Sequence, residues 1–293
     1  MPQFIPHNTI DVVLTRATGE DAGIPQRLSG YRVALTSKTA GGYGMSELSA
    51  LIYGMPLSQM NEFSRFGTTP MTFNGDTVMV LASNDAGSMS KVFEGTMVNV
   101  CQDYSAAPGA VFIITALGGL IQALQPAPAS SFPGTVDAAV VLEGLAKQGG
   151  LNFENNGVSV QLSRPYYSGA LRTQILECIE DAGINGVIED GTLAIWPAGG
   201  VRAGIVAIIS PGTGMVGYPS PTNVGGALVT SVFNPNIRFG ARVQVEGSTI
   251  PQANGAWDVI SVTHDLECEV PNGKWFTQVE LIAPGLIVVP STK

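Results

Sequence analysis

The chain contains two histidines, His7 and His264, and histidine is the side chain that most often acts as a general base near neutral pH. A nucleophilic triad needs a histidine beside a serine or cysteine, oriented by a carboxylate. His7 lies near the N-terminus, and Asp265 directly follows His264, so their side chains point to opposite faces of a strand. Motifs of serine hydrolases, zinc proteases, P-loop proteins and EF-hands are absent. We therefore expect no catalytic triad.

Glu267 and Glu269 are two residues apart, which places both carboxylates on one face of a strand. Two carboxyl groups that face one substrate can act as the acid and base of glycoside hydrolysis. A solvated strand face produces the same pattern, and we favour that interpretation. The sequence thus predicts no catalytic residue, while this pair leaves a hydrolase open as an alternative.

A glycine-rich run, Gly212 to Gly217, has the spacing G-x-G-x-x-G. In a dinucleotide-binding fold this loop opens a helix whose N-terminus binds the pyrophosphate. Here Pro219 and Pro221 follow at once and exclude that helix. We therefore predict an exposed turn and no bound cofactor.

Three cysteines, Cys101, Cys178 and Cys268, are far apart in the sequence. None belongs to a CxxC pair, so neither a zinc site nor a thioredoxin-like site is supported. An odd number of cysteines is also a poor basis for a disulfide framework. We expect reduced thiols, no metal and assembly in a cytoplasm.

The composition excludes several classes of protein. Charged residues make up 13% of the 293 residues, the formal net charge is −9, and 45% of the residues are apolar. The chain is too apolar to be disordered and too acidic to wrap nucleic acid by neutralising phosphates. Its 36 glycines and 19 prolines favour many strands and turns over a helical bundle.

Residues 1–125 have the pattern of a β domain. Short apolar runs at fairly even spacing predict strands at 10–17, 27–37, 46–54, 77–82, 92–100 and 111–116. Ser58 is placed to cap a short helix at 59–63. The most apolar stretch, Ala106 to Leu124, is broken by Pro108 and several glycines, so we expect a buried strand there and no membrane span.

Residues 126–199 differ in character and begin in a proline-rich stretch. Thr135 is placed to cap a helix, and a second helix is predicted from Ala170 to Ala182. Each helix is followed by a predicted hairpin, around Asn155-Asn156-Gly157 and around Glu189-Asp190-Gly191. The two copies align at an offset of 34 residues, which predicts a small duplicated helix-hairpin module of α+β type.

Residues 200–293 are again β-like. Residues 241–246 alternate between polar and apolar, and 257–263 with 275–282 predict a hairpin around Pro271-Asn272-Gly273. The N-terminus has neither a basic nor an apolar region, so we expect no secretory signal.

Two long segments, 104–136 and 203–237, contain no Asp, Glu, Lys or Arg. Uncharged segments rich in apolar residues, glycine and proline are typical of surfaces that become subunit interfaces. This is the strongest physical indication of function in the residues themselves, and it favours a component of an assembly.

Four stretches, taken in their order along the chain, carry a family resemblance. They are Leu51–Asn61, Val92–Asn99, Ile208–Pro219 with Phe233–Val245, and Gly255–Glu267. Over essentially its whole length the chain resembles the baseplate hub proteins of contractile-tailed bacteriophages. These hubs are related to late control protein D and to the N-terminal parts of type VI secretion spike proteins.

The resemblance implies a specific architecture. The fold is then mainly β with an α+β insertion: two tube-type β-barrel domains, 1–125 and 200–293, flank the duplicated module at 126–199. Such hubs are homotrimers that join the six-fold tail tube above to the three-fold central spike below and contact other baseplate proteins. They are structural proteins and not enzymes.

The resemblance also places the protein in the virion, assembled in the host cytoplasm. Genomic DNA passes through the lumen without specific binding, so we expect lumen-facing residues to be neutral or net acidic. Two alternatives remain, a cell-wall hydrolase of the tail tip that uses Glu267 and Glu269, and a receptor-binding β-module.

Overall fold

The computed structural model describes residues 8–41, 44–64, 75–84, 88–105, 109–223 and 225–286. Of these residues 50% are in strands and 15% in helices, so the prediction of a mainly-β protein is confirmed. His7 lies outside the described residues. Within them, no helix has both the length and the apolar character needed to cross a membrane.

The described residues of the first part form seven strands and one short helix. They are β1 (Thr9–Thr15), β2 (Pro25–Leu28), β3 (Arg32–Ala40), β4 (Glu47–Tyr53), α1 (Leu57–Phe63), β5 (Thr77–Ser83), β6 (Ser90–Asp103) and β7 (Val111–Leu117). Strands β4 and β7 alternate strictly between buried and more exposed residues, so one face of each packs into the core.

The middle part contains the longer helices. Its elements are α2 (Leu120–Leu124), β8 (Ser130–Ser131), β9 (Thr135–Asp137), α3 (Ala138–Gln148), β10 (Asn152–Asn155), β11 (Gln161–Ser163), β12 (Tyr166–Tyr167), α4 (Leu171–Asp181), β13 (Ile184–Glu189) and β14 (Thr192–Pro197). Helices α3 and α4 bury their apolar faces in a hydrophobic cluster of their own. The boundaries at 126 and 199 stay a prediction.

The last part is again built of strands. They are β15 (Arg202–Ile209), β16 (Met215–Pro221), β17 (Ala227–Val232), β18 (Ala241–Val245), β19 (Gly255–Cys268) and β20 (Trp275–Ile282). Two short 3-10 helices, Pro211–Thr213 and Pro251–Ala253, interrupt them. The predicted hairpin of β19 and β20 is confirmed.

Thirteen strands, counted over the described residues of the first and last parts, form one continuous sheet. Its order is β16-β17-β20-β19-β3-β4-β7-β6-β5-β1-β2, with β18 on β19 and β15 on β18. The two predicted parts are therefore joined edge to edge, and the described strands do not close into a barrel.

Within this sheet, five strands of the first part and five of the last share one arrangement. The order β3-β4-β7-β6-β5 matches β16-β17-β20-β19-β18, and the strands also follow one another in the same order along the chain. We call Arg32–Leu117 unit 1 and Met215–Ile282 unit 2.

The two units also agree in pairing register. Met97 faces Ala116 on β7, as Val259 faces Leu281 on β20, and the next residue, Val98 or Ile260, forms a bulge in each unit. Position n of β6 corresponds to n + 162 of β19, an offset that also relates the pairs Thr77–Thr96 and Arg242–Asp258. The agreement extends to β4 and β17, whose Tyr53 and Val232 face Val111 and Phe276.

The units meet where β3 pairs with the C-terminal half of β19, from Ser261↔Ala40 to Cys268↔Val33. We call this pairing the intrachain seam. Four residues of the last part lie in the hydrophobic cluster of the first part: Phe233, Leu266, Cys268 and Trp275. The seam is therefore both a backbone ladder and a shared core.

Several local predictions are wrong. The first helix of the middle part is capped by the side chain of Asp137, which accepts from Ala139 N at 2.8 Å, while Thr135 lies in β9. Helix α1 begins after Pro56 without a side-chain cap, so Ser58 lies inside it. The segment 27–37 divides into β2 and β3 around Gly30, whose φ is +75°.

The first predicted hairpin of the middle part is also wrong. Strand β10 pairs in parallel with β14, and β11 pairs with β9. Asn155 holds the loop instead, because its amide side chain accepts from Val158 N and donates to Val158 O. The second hairpin is confirmed, with Asp190 and Gly191 both at positive φ, as a type I′ turn requires.

The close approach of β17 to β20 depends on Gly226. A Cβ on Gly226 would lie 1.8 Å from the carbonyl oxygen of Leu281, which is backbone and cannot rotate away. We expect Gly226→Ala to lower the free energy of unfolding by about 1–3 kcal/mol, measured by urea denaturation. Gly212→Ala is the matched control, since its Cβ would meet only Ser210 Oγ at 3.8 Å. Equal stability of the two variants would contradict this packing.

Candidate assembly surface

His264 is a structural residue in the sheet. Its Nδ1 lies 2.9 Å from Thr277 Oγ1, and its ring packs edge-on against Phe233 with centroids 5.4 Å apart. Burial lowers the pKa of His264 to about 4, only partly opposed by the charge of Asp265. Asp265 instead accepts from Thr36 Oγ1 at 2.6 Å, so no His–Asp base forms.

Glu269 lies outside the strand that carries Glu267, so the expectation that the two carboxylates share one strand face is wrong. Strand β19 ends at Cys268, and Glu269 has a left-handed backbone with φ +55°. The side chain of Glu267 accepts from Lys274 N at 3.2 Å and so belongs to the turn of the hairpin. The change of backbone conformation after Cys268 separates the directions of the two carboxylates.

The glycine-rich run forms a turn, as predicted. Ser210 and Thr213 cap a single 3-10 turn reciprocally, and β16 follows without an α-helix. All three cysteines are unpaired thiols. Among the described residues, no group of three or more His, Cys, Asp or Glu side chains could hold a metal ion.

The segment 203–237 carries its apolar side chains on the outside. Ile205 is 75% exposed and Tyr218 71%, which is unusual for large apolar side chains. Both lie where an edge strand bulges, since the register of β15 shifts between Arg202 and Ala207 and that of β16 between Val216 and Ser220. We call these exposed apolar residues the apolar edge: Ile205, Val206, Ile208, Val216 and Tyr218.

In the other uncharged segment, 104–136, the absence of charge over β7 is explained by burial within the sheet. Strand β7 lies within the sheet between β4 and β6, and every second residue of it is buried. Its lack of charge therefore follows from packing. Among the described residues of this segment, the large exposed apolar side chains are Tyr104, at its start, and Leu124, at the end of α2.

A buried ionic cluster anchors the start of the apolar edge. Arg202, whose side chain is 3% exposed, donates to both carboxylate oxygens of Glu154 at 2.9 and 3.0 Å and to Glu189 at 2.6 Å. Burial alone would raise the pKa of Glu154, but hydrogen bonds and charge from Arg202 lower it. The last part of the chain is thereby tied to the middle part.

Arg238, the first charged residue after the uncharged segment, also faces Glu154, at 3.7 Å. The neighbouring Phe239 ring packs against Trp196 with centroids 5.9 Å apart. The same ring leaves no room for a side chain on Gly41, whose Cβ would lie 1.9 Å from it. Both ends of segment 203–237 are thus fixed, while its middle is exposed.

The turn between β13 and β14 contacts unit 1. Lys91 Nζ donates to the carbonyl of Asp190 at 3.1 Å and pairs with Glu94 at 2.5 Å. Burial, with the neighbouring charge of Glu189, raises the pKa of Asp190. This contact holds the middle part against β6.

One face of the long sheet is open to solvent. It carries alternate residues of β3, β4, β7, β19, β20, β17 and the end of β6, where Thr36, Ser49 and Gln278 are exposed. Asp258 of β19 lies on this face and pairs with Arg242 of β18, so the two charges cancel. The other charged residues described on these strands of the face are five acids and two bases, a net charge of −3. They are Glu47, Asp103, Asp265, Glu267, Glu280, Arg32 and Lys38. We call this surface the open face.

Sequence reasoning missed both the repeat of units 1 and 2 and the Arg202 cluster. The repeat lies in the pairing register of the strands, which the sequence does not display. The two partners of Arg202 are 48 and 13 residues away in sequence. Only the missing charge of 203–237 was visible in the sequence.

A profile of a known protein family matches most of the chain. Residues 32–275 match the profile of the family described as baseplate hub gp41. Curated protein sequences give no match.

Solved structures of the same fold are distant in sequence. The 43 kDa tail protein of prophage MuSo2 from Shewanella oneidensis has a TM-score of 0.59 at 10% identity, covering 94% of this chain and 97% of its own. A tail protein from Neisseria meningitidis MC58 has a TM-score of 0.61 at 9% identity, over 93% and 96%. An E. coli component of the type VI secretion system, described as similar to T4 tail proteins gp27 and gp5, has 0.58 at 9%, over 86% and 73%.

The two arginines that flank segment 203–237 provide a matched pair of variants. Arg202→Met leaves Glu189 buried without its partner, so we expect a loss of about 3–5 kcal/mol in the free energy of unfolding. Arg238 is 40% exposed, so Arg238→Met is expected to cost less than about 1 kcal/mol. Chemical denaturation of both variants checks this, and similar losses would show that Arg202 is not the anchor.

Proposed function

Because the chain belongs to the baseplate hub gp41 family, and so is a virion-associated component of the phage tail baseplate, we propose that it acts as a homotrimeric structural adaptor. In this role three copies form a ring between the six-fold tail tube and the three-fold central spike, in contact with other baseplate proteins. The ring assembles in the host cytoplasm and surrounds the channel through which DNA leaves.

The observation that carries the proposal is the pair of units with one strand order and one register. Three copies of a chain with two such units present six similar units around a three-fold axis. A ring of this kind can meet a six-fold tube on one side and a three-fold spike on the other. Two tube-type barrel domains in each chain, completed in the assembly, belong to the same proposal.

The open face is the surface that we assign to the channel. It is the solvent-facing side of a sheet that runs through both units without a break, and its charged residues sum to −3. Phosphates bind to clusters of Lys and Arg and are repelled by acidic residues. A wall of this charge lets DNA slide past without specific binding.

The two rival functions have weaker support. A glycosidase of the cell wall that uses Glu267 and Glu269 needs both carboxylates to face one substrate, but Glu267 is engaged with Lys274 N and Glu269 lies beyond the strand. A receptor-binding module would use the apolar edge, but its length and lack of charge fit a permanent subunit contact better. We therefore propose a role without enzymatic activity.

Mass measurement of the purified protein, alone and co-expressed with a tail spike protein, tests the proposal. We expect three copies per particle in at least one of the two preparations. A protein that stays monomeric in both would overturn the hub function. Clearing of purified peptidoglycan that is lost in Glu267→Gln would support the hydrolase, and saturable adhesion to host cells the receptor module.

A reconstruction of the assembled baseplate tests the assignment of the open face. We expect the channel wall to carry Glu47, Asp265 and Glu280 and to be net acidic or neutral. A channel lined mainly by Lys and Arg would contradict the assignment while leaving the trimer intact.

A further inference from the structure

We propose that β16 of one copy pairs with the C-terminal half of β6 of a neighbouring copy and so repeats the intrachain seam between chains. This inference rests on the proposed trimer and names the surfaces that would form its contact. A three-fold ring needs a head-to-tail contact between two different surfaces, and these two strands supply them.

The equivalence of the units identifies the partners. In the intrachain seam, β3 of unit 1 pairs with the C-terminal half of β19 of unit 2. The strand of unit 2 that corresponds to β3 is β16, and the strand of unit 1 that corresponds to β19 is β6. A second seam of the same kind would join β16 to β6, and since these strands do not pair within the chain, we place it between two chains.

Both strands have an edge without a partner strand among the described residues. Strand β16 pairs only with β17. One edge of β6 is covered by β5 up to Thr96, and beyond the bulge at Val98 that edge pairs with no described strand. In β19 the same stretch, Ser261–Cys268, is the part covered by β3.

The side chains at these edges match the seam in chemistry. Asp265 accepts from Thr36 in the intrachain seam at 2.6 Å, and the corresponding residues are Asp103 and Ser220, again a carboxylate and a hydroxyl. Leu266, fully buried in the seam, corresponds to Tyr104, which is 48% exposed in the single chain. Tyr104 would face the bulge of β16 that carries Tyr218, so burial of both rings stabilises the contact.

The backbone of β16 limits what else can pair with it. Thr222 N–H donates to Gly226 O and so points towards β17, which directs the neighbouring Pro221 to the free edge. Pro219 and Pro221 have no N–H to donate. Pairing at this edge therefore depends on the carbonyl groups of β16, on the N–H groups other than those of the prolines, and on matching side chains. Because fewer backbone hydrogen bonds are available, a strand whose side chains match is favoured over other extended strands.

A single substitution tests the predicted register. The pair Lys38–Thr263 of the intrachain seam corresponds to Thr222 and the native Cys101 across chains. Directly opposed residues have Cα atoms about 4.5–5.5 Å apart, within the range that a disulfide spans. We expect Thr222→Cys, oxidised in the preparation that forms trimers, to migrate as covalently linked chains on a non-reducing gel.

Two controls accompany this variant. Thr222→Cys combined with Cys101→Ser should give no linked chains, and Lys38→Cys with Thr263→Cys should close a disulfide within one chain. A trimer by mass in which only the intrachain control forms would overturn the β16–β6 contact and leave the hub function standing. A monomer in every preparation would overturn both.

A second readout does not depend on cysteine chemistry. Tyr104→Asp should shift the trimer to monomers with little change in the melting temperature of the monomer, because the side chain is 48% exposed and its hydrogen bond to Gln102 Oε1 lies at the solvent-exposed surface. Tyr166→Asp, at a side chain that is 64% exposed on the middle part, is the matched control and should leave the trimer unchanged. Equal effects of the two variants on the trimer would contradict the proposal.

Discussion

Backbone pairing between β3 and β19 is the constraint on which the rest of the molecule depends. It joins eight residue pairs from opposite ends of the chain and makes one sheet of two units. Because the pairing fixes the register, it also fixes which side chains enter the core and which face solvent. Phe233, Leu266, Cys268 and Trp275 enter the core of the other part for this reason.

The middle part acts as a brace on this sheet. Arg202 binds Glu154 and Glu189, the Phe239 ring lies against Trp196, and Lys91 holds the turn at Asp190. These contacts fix both ends of segment 203–237, so its exposed apolar residues are presented on a rigid support. The residues that stabilise this region are thus different from those of the proposed assembly contact.

The sequence predicts the elements whose own pattern determines them. Strands β4, β5 and β7 alternate with period two, and α3 and α4 have apolar faces at helical spacing. The predicted hairpin around Asn155 does not form because β10 pairs instead with β14, a strand distant in sequence. The repeat of the two units was invisible because backbone register is repeated while side chains differ, as Cys101 and Thr263 do.

The prolines of β16 have a consequence for the time before assembly. A bare strand edge with exposed valine and tyrosine, as in Val216 and Tyr218 of β16, is a template for fibre growth, since an extended peptide can add to it. Pro219 and Pro221 have no N–H and interrupt that template, so the free edge of β16 does not accept every extended strand. In the proposed contact with β6, the same prolines leave fewer backbone hydrogen bonds, so the choice of neighbour depends more on the matching side chains.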